Sequence, residues 1–187
     1  MAKVKAAVFA SGSGSNFEAI MQAADLPCDI CLLVCDKPGA GAVTRAARLN
    51  VPVYETSPKR FADKAAYEAD LVQHLQAASI EWIFLAGYMR LIGPVFLQAY
   101  EGKIINIHPS LLPAFPGKDG IDDAFRAGVE KTGVTIHYVD AGMDTGPIIE
   151  QAEVAILPED TLETLAARIH QTEHQLYPAV IRKLLAD

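Results

Sequence analysis

Asn106 and His108 stand two residues apart at the end of an apolar run, Lys103-Ile-Ile-Asn-Ile-His108, which Pro109 terminates. In an extended strand residues i and i+2 leave on the same face, so an amide donor and an imidazole project side by side. At the carboxyl end of a strand in an open α/β sheet, that face looks into the ligand crevice. Such a pair can polarise a carbonyl oxygen and supply a proton as negative charge develops there. A strand-end histidine can equally be satisfied by backbone; the second polar side chain on the same face favours a site. The loop Asp140-Ala-Gly-Met-Asp144-Thr-Gly146 adds a carboxylate. As a plain turn residue, Asp144 would cap only its own backbone. If it reaches His108, it favours the imidazolium form and lets the ring act as an acid near neutral pH. Spacing leaves both readings open.

A second constellation is Ser11-Gly12-Ser13-Gly14-Ser15-Asn16, between the first strand and the first helix. Glycines let backbone approach a ligand closely, and the free amides of a helix N-terminus favour a phosphate. Ser13, Ser15 and Asn16 add hydroxyl and amide donors. Gly12 and Gly14 also open a dinucleotide fingerprint, with Asp36 where a ribose-binding acid would lie. Phe17 takes the place of the third glycine, however, and no Walker-type lysine is present. A tight structural turn, a monophosphate cradle and a nicotinamide site remain as three readings.

His170-Gln-Thr-Glu-His174 fits the H-x-x-E-H pattern of inverted zinc proteases. A catalytic zinc needs a third protein ligand and a peptide cleft, neither of which the sequence indicates, so the expectation is no metal. Glu173 is more attractive as a metal-free carboxylate that holds a substrate amine or ribose hydroxyls. Cys28, Cys31 and Cys35 share one apolar segment. An extended strand does not converge three thiolates, and alternation sets Cys28 opposite Cys31 and Cys35. Buried free thiols in a reducing compartment are expected.

The elements that must position these groups read as βαβ units. Strands are expected over Val4–Ala10, Ile30–Cys35, Val51–Tyr54, Trp82–Ala86 and Lys103–Ile107. Helices are expected over Asn16–Ala24, Gly41–Leu49, Lys64–Ala77 (capped by Asp63, with an apolar stripe of Tyr67, Leu71, Val72 and Leu75), Gly93–Tyr100 and Asp122–Ala127. Leu111–Asp119 is a loop. Gly133–Asp140 and Gly146–Ile156 follow without a helix between them and imply an antiparallel pair. A last helix, capped by Asp160 or Thr161, runs towards Leu185 with Pro178 expected to kink or interrupt it. The fold class is α/β: a single Rossmann-like domain over 1–187, mostly parallel and twisted, with an antiparallel C-terminal strand pair and flanking helices.

The 187 residues are 51% hydrophobic and 21% charged, a composition of globular proteins. The net charge of −7 argues against a nucleic-acid-coating surface. No apolar run approaches the roughly 20 residues of a membrane span, and the N-terminus reads as a strand rather than a signal peptide. A cytoplasmic protein, a monomer or homodimer acting on small molecules without nucleic-acid or membrane partners, is expected.

These motifs together resemble the phosphoribosylglycinamide formyltransferases, folate-dependent enzymes of de novo purine biosynthesis. The resemblance runs from Val8-Phe-Ala-Ser-Gly-Ser-Gly-Ser-Asn16 through Leu85-Ala-Gly-Tyr-Met-Arg-Leu-Ile92, Ile105-Asn-Ile-His-Pro-Ser-Leu-Leu-Pro113, Gly133-Val-Thr-Ile-His-Tyr-Val-Asp140 and Asp144-Thr-Gly-Pro147 to Glu173-His-Gln-Leu-Tyr-Pro178. It implies that Asn106, His108 and Asp144 are the catalytic set. It further implies that Ser13, Gly14, Ser15 and Asn16, completed by His170 and Glu173, bind glycinamide ribonucleotide. Met89, Arg90, Leu91 and Ile92, with Asp140, Ala141, Gly142, Met143 and Asp144, would enclose the pterin of the co-substrate 10-formyltetrahydrofolate, and Asn106 would also face it. Lys64 falls where relatives often place an arginine near the folate; lysine keeps the charge and loses the bidentate fork. Gly117-Lys-Asp-Gly-Ile-Asp-Asp123 departs from the pattern, since many relatives carry a histidine there.

The same Asn–His–Asp set occurs in methionyl-tRNA formyltransferase and formyltetrahydrofolate hydrolase, so it fixes the chemistry better than the acceptor. The tRNA enzyme would call for a further basic domain, and the hydrolase for a regulatory domain ahead of strand one; neither is expected. A non-catalytic folate- or nucleotide-binding module and an NAD-dependent oxidoreductase are the readings from other classes.

Overall fold

Residues 6 to 10 of β1 (Val4–Ala10) are all buried. Ala6, Val8 and Ala10 enter one core while Ala7 and Phe9 enter another. Burial on both faces is the signature of a central parallel strand covered by helices on each side. The computed structural model describes residues 2–186; Met1 and Asp187, the ends of the expected 1–187 domain, lie outside the described residues.

After β1 come α1 (Ser15–Gln22), β2 (Cys28–Cys35), α2 (Gly41–Arg48), β3 (Val53–Glu55), α3 (Lys64–Ala77) and β4 (Trp82–Leu85). Then follow α4 (Pro94–Ala99), β5 (Ile104–His108), α5 (Gly120–Ala127), β6 (Lys131–Tyr138), β7 (Ile148–Ala155) and α6 (Leu162–Leu184). The seven strands are ordered β3-β2-β1-β4-β5-β6-β7. β3 to β5 pair in parallel, and β6 and β7 close the edge antiparallel. The expected α/β class and antiparallel C-terminal pair are thus the observed ones.

Phe17, Ile20, Leu165, Ile169, Tyr177 and Ile181 cover one face from α1 and α6, and Tyr67, Leu71, Leu75 and Phe96 cover the other from α3 and α4. Asp63 caps α3 as expected, its carboxylate accepting from the Ala66 amide at 2.8 Å. Glu68 interrupts the apolar face of α3 and is still 3% exposed. Its carboxylate accepts from the Gly93 and Phe96 amides at 2.6 and 3.4 Å. It thereby supplies the cap that Gly93, at the start of α4, lacks.

Two local expectations are corrected, and one left open between two residues is decided. α6 runs through Pro178 without interruption. The proline costs one intrahelical hydrogen bond, and the burial of Tyr177, Val180 and Ile181 around it holds the turn. Thr161, not Asp160, caps α6 in a reciprocal pair with Thr164, while Asp160 is taken by Arg168. β2 starts at Cys28, and its register slips so that Ala6 faces Ile30 and Ala7 faces Leu32. Cys31 is the extra residue. All three cysteines are free thiols; Cys28 and Cys35 are buried as expected while Cys31 is only partly so. Burial pushes Cys28 up to about 11, the state of an inert thiol.

Candidate active site

The chain leaves β1 for β2 on one side and returns to β4 on the other, so the strand order reverses between β1 and β4. A crevice opens at such a switch point, beyond the strand carboxyl ends. Here it is a cavity of about 630 Å³ walled by the turn after β1, the loops after β4 and β5, the loop between β6 and β7, and one face of α6. Its volume is that of a small-molecule site.

His108 closes β5 and is 5% exposed. Its Nδ1 lies 3.6 Å from Asp144 Oδ2, so the two residues do meet across 36 positions of sequence. Its Nε2 donates to the Phe115 carbonyl at 2.8 Å, an acceptor that can only accept. Both ring nitrogens therefore face acceptors. Asn106 reaches the same wall by the expected i, i+2 relation. Its amide donates to Nε2 of His137 at 3.3 Å, and Nδ1 of His137 is bound to the Tyr138 carbonyl at 2.8 Å. The carbonyl requires a hydrogen on Nδ1, which leaves Nε2 of the neutral ring as acceptor and fixes which way the Asn106 amide faces. Asn106 and His137 are direct cross-strand partners.

Asp144 stands between the two rings, 3.7 Å from Nε2 of His137, with Oδ2 accepting from the Gly117 amide at 2.9 Å. Burial by itself would raise its carboxyl. The hydrogen bond from the Gly117 amide and the charge of His108 work against burial and hold it below its ordinary 3.8. The backbone of Asp144 is left-handed, with φ 56°. Asp140 makes that turn: its carboxylate binds the Thr145 hydroxyl and the Gly142 amide, which keep it below its ordinary value. Gly146 has no alternative, because a Cβ there would sit 1.7 Å from the Tyr138 carbonyl oxygen. Gly142, Met143 and Asp144 line the cavity, whereas Asp140 and Ala141 shape the loop from outside it.

Ser13, Gly14, Ser15 and Asn16 line the same cavity. Glu173, 4% exposed, accepts from His170 at 2.7 Å and from the Asn16 amide at 3.4 Å. The Glu173 hydrogen bond, partly offset by burial, raises His170. α6 delivers both residues because Tyr177, fully buried one turn further on, donates to the Leu85 and Ile105 carbonyls of β4 and β5 at 2.8 and 3.3 Å. His174 turns away into a groove between α1 and α6, where burial lowers it. The two histidines of the H-x-x-E-H pattern thus serve different surfaces.

Met89, Arg90, Leu91 and Ile92 form the third wall. Met89, Leu91 and Met143 are 58, 54 and 51% exposed, unusually high for large apolar side chains, and all three face the one cavity. Such a rim suits a flat aromatic ligand. Lys64 is exposed at the start of α3, outside the cavity lining.

Asp36 differs from the expectation of a ribose hook. It is 3% exposed and fully engaged, accepting from Ser11 Oγ and from Arg90 Nε, each at 2.6 Å. Ser11 Oγ in turn accepts from the Met89 amide, so this network ties the glycine turn to the third wall. With its acid consumed and Phe17 in the core, the dinucleotide reading loses both supports. Sequence reasoning assigned no role to His137. The available signal was a histidine alternating with Val134 and Ile136 on a strand expected to run antiparallel beside another.

The model of the formyl transferase family matches residues 4–181. The chain belongs to the formyl transferase family. It is 55% identical over 184 residues to the phosphoribosylglycinamide formyltransferase of Bacillus subtilis (strain 168), covering 97% of this chain and 94% of that one. The trifunctional purine biosynthetic protein adenosine-3 of Drosophila melanogaster is 40% identical over 186 residues, which are 97% of this chain and 14% of that protein. Among solved structures, glycinamide ribonucleotide transformylase 1 of Geobacillus kaustophilus superposes with a TM-score of 0.96 at 60% identity, covering 98% of this chain and 100% of that one. The phosphoribosylglycinamide formyltransferase of Bacillus halodurans gives 0.95 at 57% identity over 98% and 96%. Among the described residues no helix is long and apolar enough to cross a membrane.

Proposed function

We propose that the chain is a one-domain enzyme that moves the formyl group of 10-formyltetrahydrofolate to the amine of glycinamide ribonucleotide, in the cytoplasm and within purine biosynthesis. The observation that carries this reading is one cavity lined both by Asn106, His108 and Asp144 and by the glycine turn with Glu173. The named activity of the Bacillus subtilis relative, at 55% identity over nearly the whole chain, supports the same assignment.

In this reading the amides after β1 hold the ribonucleotide phosphate, and Glu173 and His170 orient the sugar and the glycinamide arm. Met89, Leu91 and Met143 enclose the pterin side of the donor. The neutral amine attacks the formyl carbon, and the carbonyl oxygen becomes a tetrahedral oxyanion. The Asn106 amide and the Nε2–H of His108 stabilise that charge, the latter on exchanging the Phe115 carbonyl for the substrate. Asp144 balances the cationic imidazole and assists transfer of the amine proton to the departing folate nitrogen. The oxyanion then collapses, the bond from the formyl carbon to that nitrogen breaks, and formylated ribonucleotide and tetrahydrofolate leave. No step calls on a metal.

Purified protein given 10-formyltetrahydrofolate with glycinamide ribonucleotide, with tRNA or with water alone tests the assignment, with folate product as the readout. Turnover is expected with the ribonucleotide. Equal folate release in water alone would make the chain a hydrolase, and tight donor binding without turnover for any acceptor would make it a binding module.

A further inference from the structure

The turn after β1 presents its amides to the cavity because α2 holds its carbonyls from behind. The Ala42 amide donates to the Gly12 carbonyl at 3.0 Å, and Nε of Arg45 donates to the Ser13 carbonyl at 2.7 Å. Across a trans peptide C=O and N–H point in opposite directions. These two contacts therefore turn the amides of Ser13 and Gly14 away from α2. The cavity lies on that side: residues 12–16 line it, and none of the residues of α2 does. Contact with α2 is close. Gly14 is left-handed at φ 77°, and a Cβ on it would lie 2.6 Å from Ala42 Cα.

The Ala42 contact is main chain and would survive most substitutions. The Arg45 contact belongs to one side chain, and that side chain is itself braced. Glu18, in the first turn of α1, pairs with both Arg45 and Arg48. The turn, α1 and α2 are thus closed into a ring through Ser13, Arg45 and Glu18. Arg45 shares the charge of Glu18 with Arg48 and lies outside the cavity lining, so its part is to orient the turn.

We propose that Arg45 is a positioning residue for the phosphate of the acceptor, holding the Ser13 carbonyl so that the Gly14 amide stays aimed at the anion. The proposal rests on the acceptor reading above, and phosphate binding at the turn tests it separately. The comparison is wild type with Arg45→Met and Arg45→Lys. Both substrates are varied, with inorganic phosphate as an inhibitor competing with the acceptor. Arg45→Met is expected to raise the acceptor KM and the phosphate inhibition constant together by about tenfold, with donor KM and saturated kcat within about twofold. Lysine can still reach the Ser13 carbonyl, so Arg45→Lys recovers most of the loss. General loosening of the fold would move donor KM and kcat as well, and lysine would not rescue it.

An unchanged acceptor KM and phosphate constant in folded Arg45→Met overturns the proposal and leaves the transfer reading intact. If wild type formylates no ribonucleotide, the acceptor reading falls, and calorimetry with inorganic phosphate on the free protein decides alone. Weaker binding in the Met variant but not the Lys variant supports the proposal; equal binding, or none by wild type, overturns it. Should Arg45→Met not fold, Glu18→Gln loosens the same brace. It is expected to shift the phosphate constant in the same direction by a smaller factor, and no shift overturns the proposal.

Discussion

Replacing Asp144 by asparagine keeps the shape of the side chain and removes its charge. The amide oxygen can retain the 2.9 Å bond from Gly117, and the NH₂ group takes the place of the second carboxylate oxygen. The turn built by Asp140 is untouched, so the variant should fold with a Tm close to wild type. What is lost is the attraction between the carboxylate and the cationic His108 at 3.6 Å. With an effective dielectric of about 20, that separation corresponds to roughly 4–5 kcal/mol, or about three decades in rate at ~1.4 kcal/mol per decade. Asp144 is 11% exposed and the amide dipole restores part of the field, so kcat should fall by about 10²–10³. The assay is steady-state release of tetrahydrofolate at saturating substrates, beside thermal unfolding by circular dichroism. A folded Asp144→Asn enzyme within about tenfold of wild-type kcat would refute the role given to this carboxylate.

His108→Ala removes a proposed oxyanion donor and should cost about 10²–10³ in kcat with the fold intact, measured in the same assay. His170 is raised above its ordinary 6.5 by its bond to Glu173. A group raised on folding stabilises the native state fully below 6.5 and loses that contribution as pH climbs through the folded value. The Tm gap between wild type and His170→Asn should therefore be widest near about pH 6 and narrow by about pH 8, followed by circular dichroism. Tyr177→Phe removes two hydrogen bonds to buried carbonyls and should lower stability by about 1–3 kcal/mol in urea unfolding. Because Tyr177 seats α6, the variant should also raise the acceptor KM more than the donor KM.

The strand-turn-helix rhythm and the i, i+2 pair were readable because both depend on local periodicity. Asn106 and His108 share a face whatever follows them. Asp144 was not readable as their partner. Its distance to His108 is set by the antiparallel return of β6 and by a turn that Asp140 makes through Thr145 and Gly142, and neither writes a spacing rule. His137 was passed over because its meaning lies in being opposite Asn106, a register and not a pattern. Asp36 illustrates the reverse failure. Its position suited a ribose hook, but Ser11 and Arg90, 25 and 54 residues away, had already claimed it. The burial of Glu68 has no local signal either, since it depends on the two amides of α4 that its carboxylate accepts from.

The cavity runs without a partition from the glycine turn to Asp144, and the three cysteines lie outside its lining. In the proposed reading the formyl carbon passes directly from donor to amine, with His108 and Asp144 as proton and charge partners rather than carriers. Donor and acceptor must then be present together, and the kinetic order follows from the architecture. Double-reciprocal plots against one substrate at fixed levels of the other should intersect, as in a sequential mechanism. The parallel lines of a ping-pong scheme would require a resting place for the formyl group that this cavity does not offer.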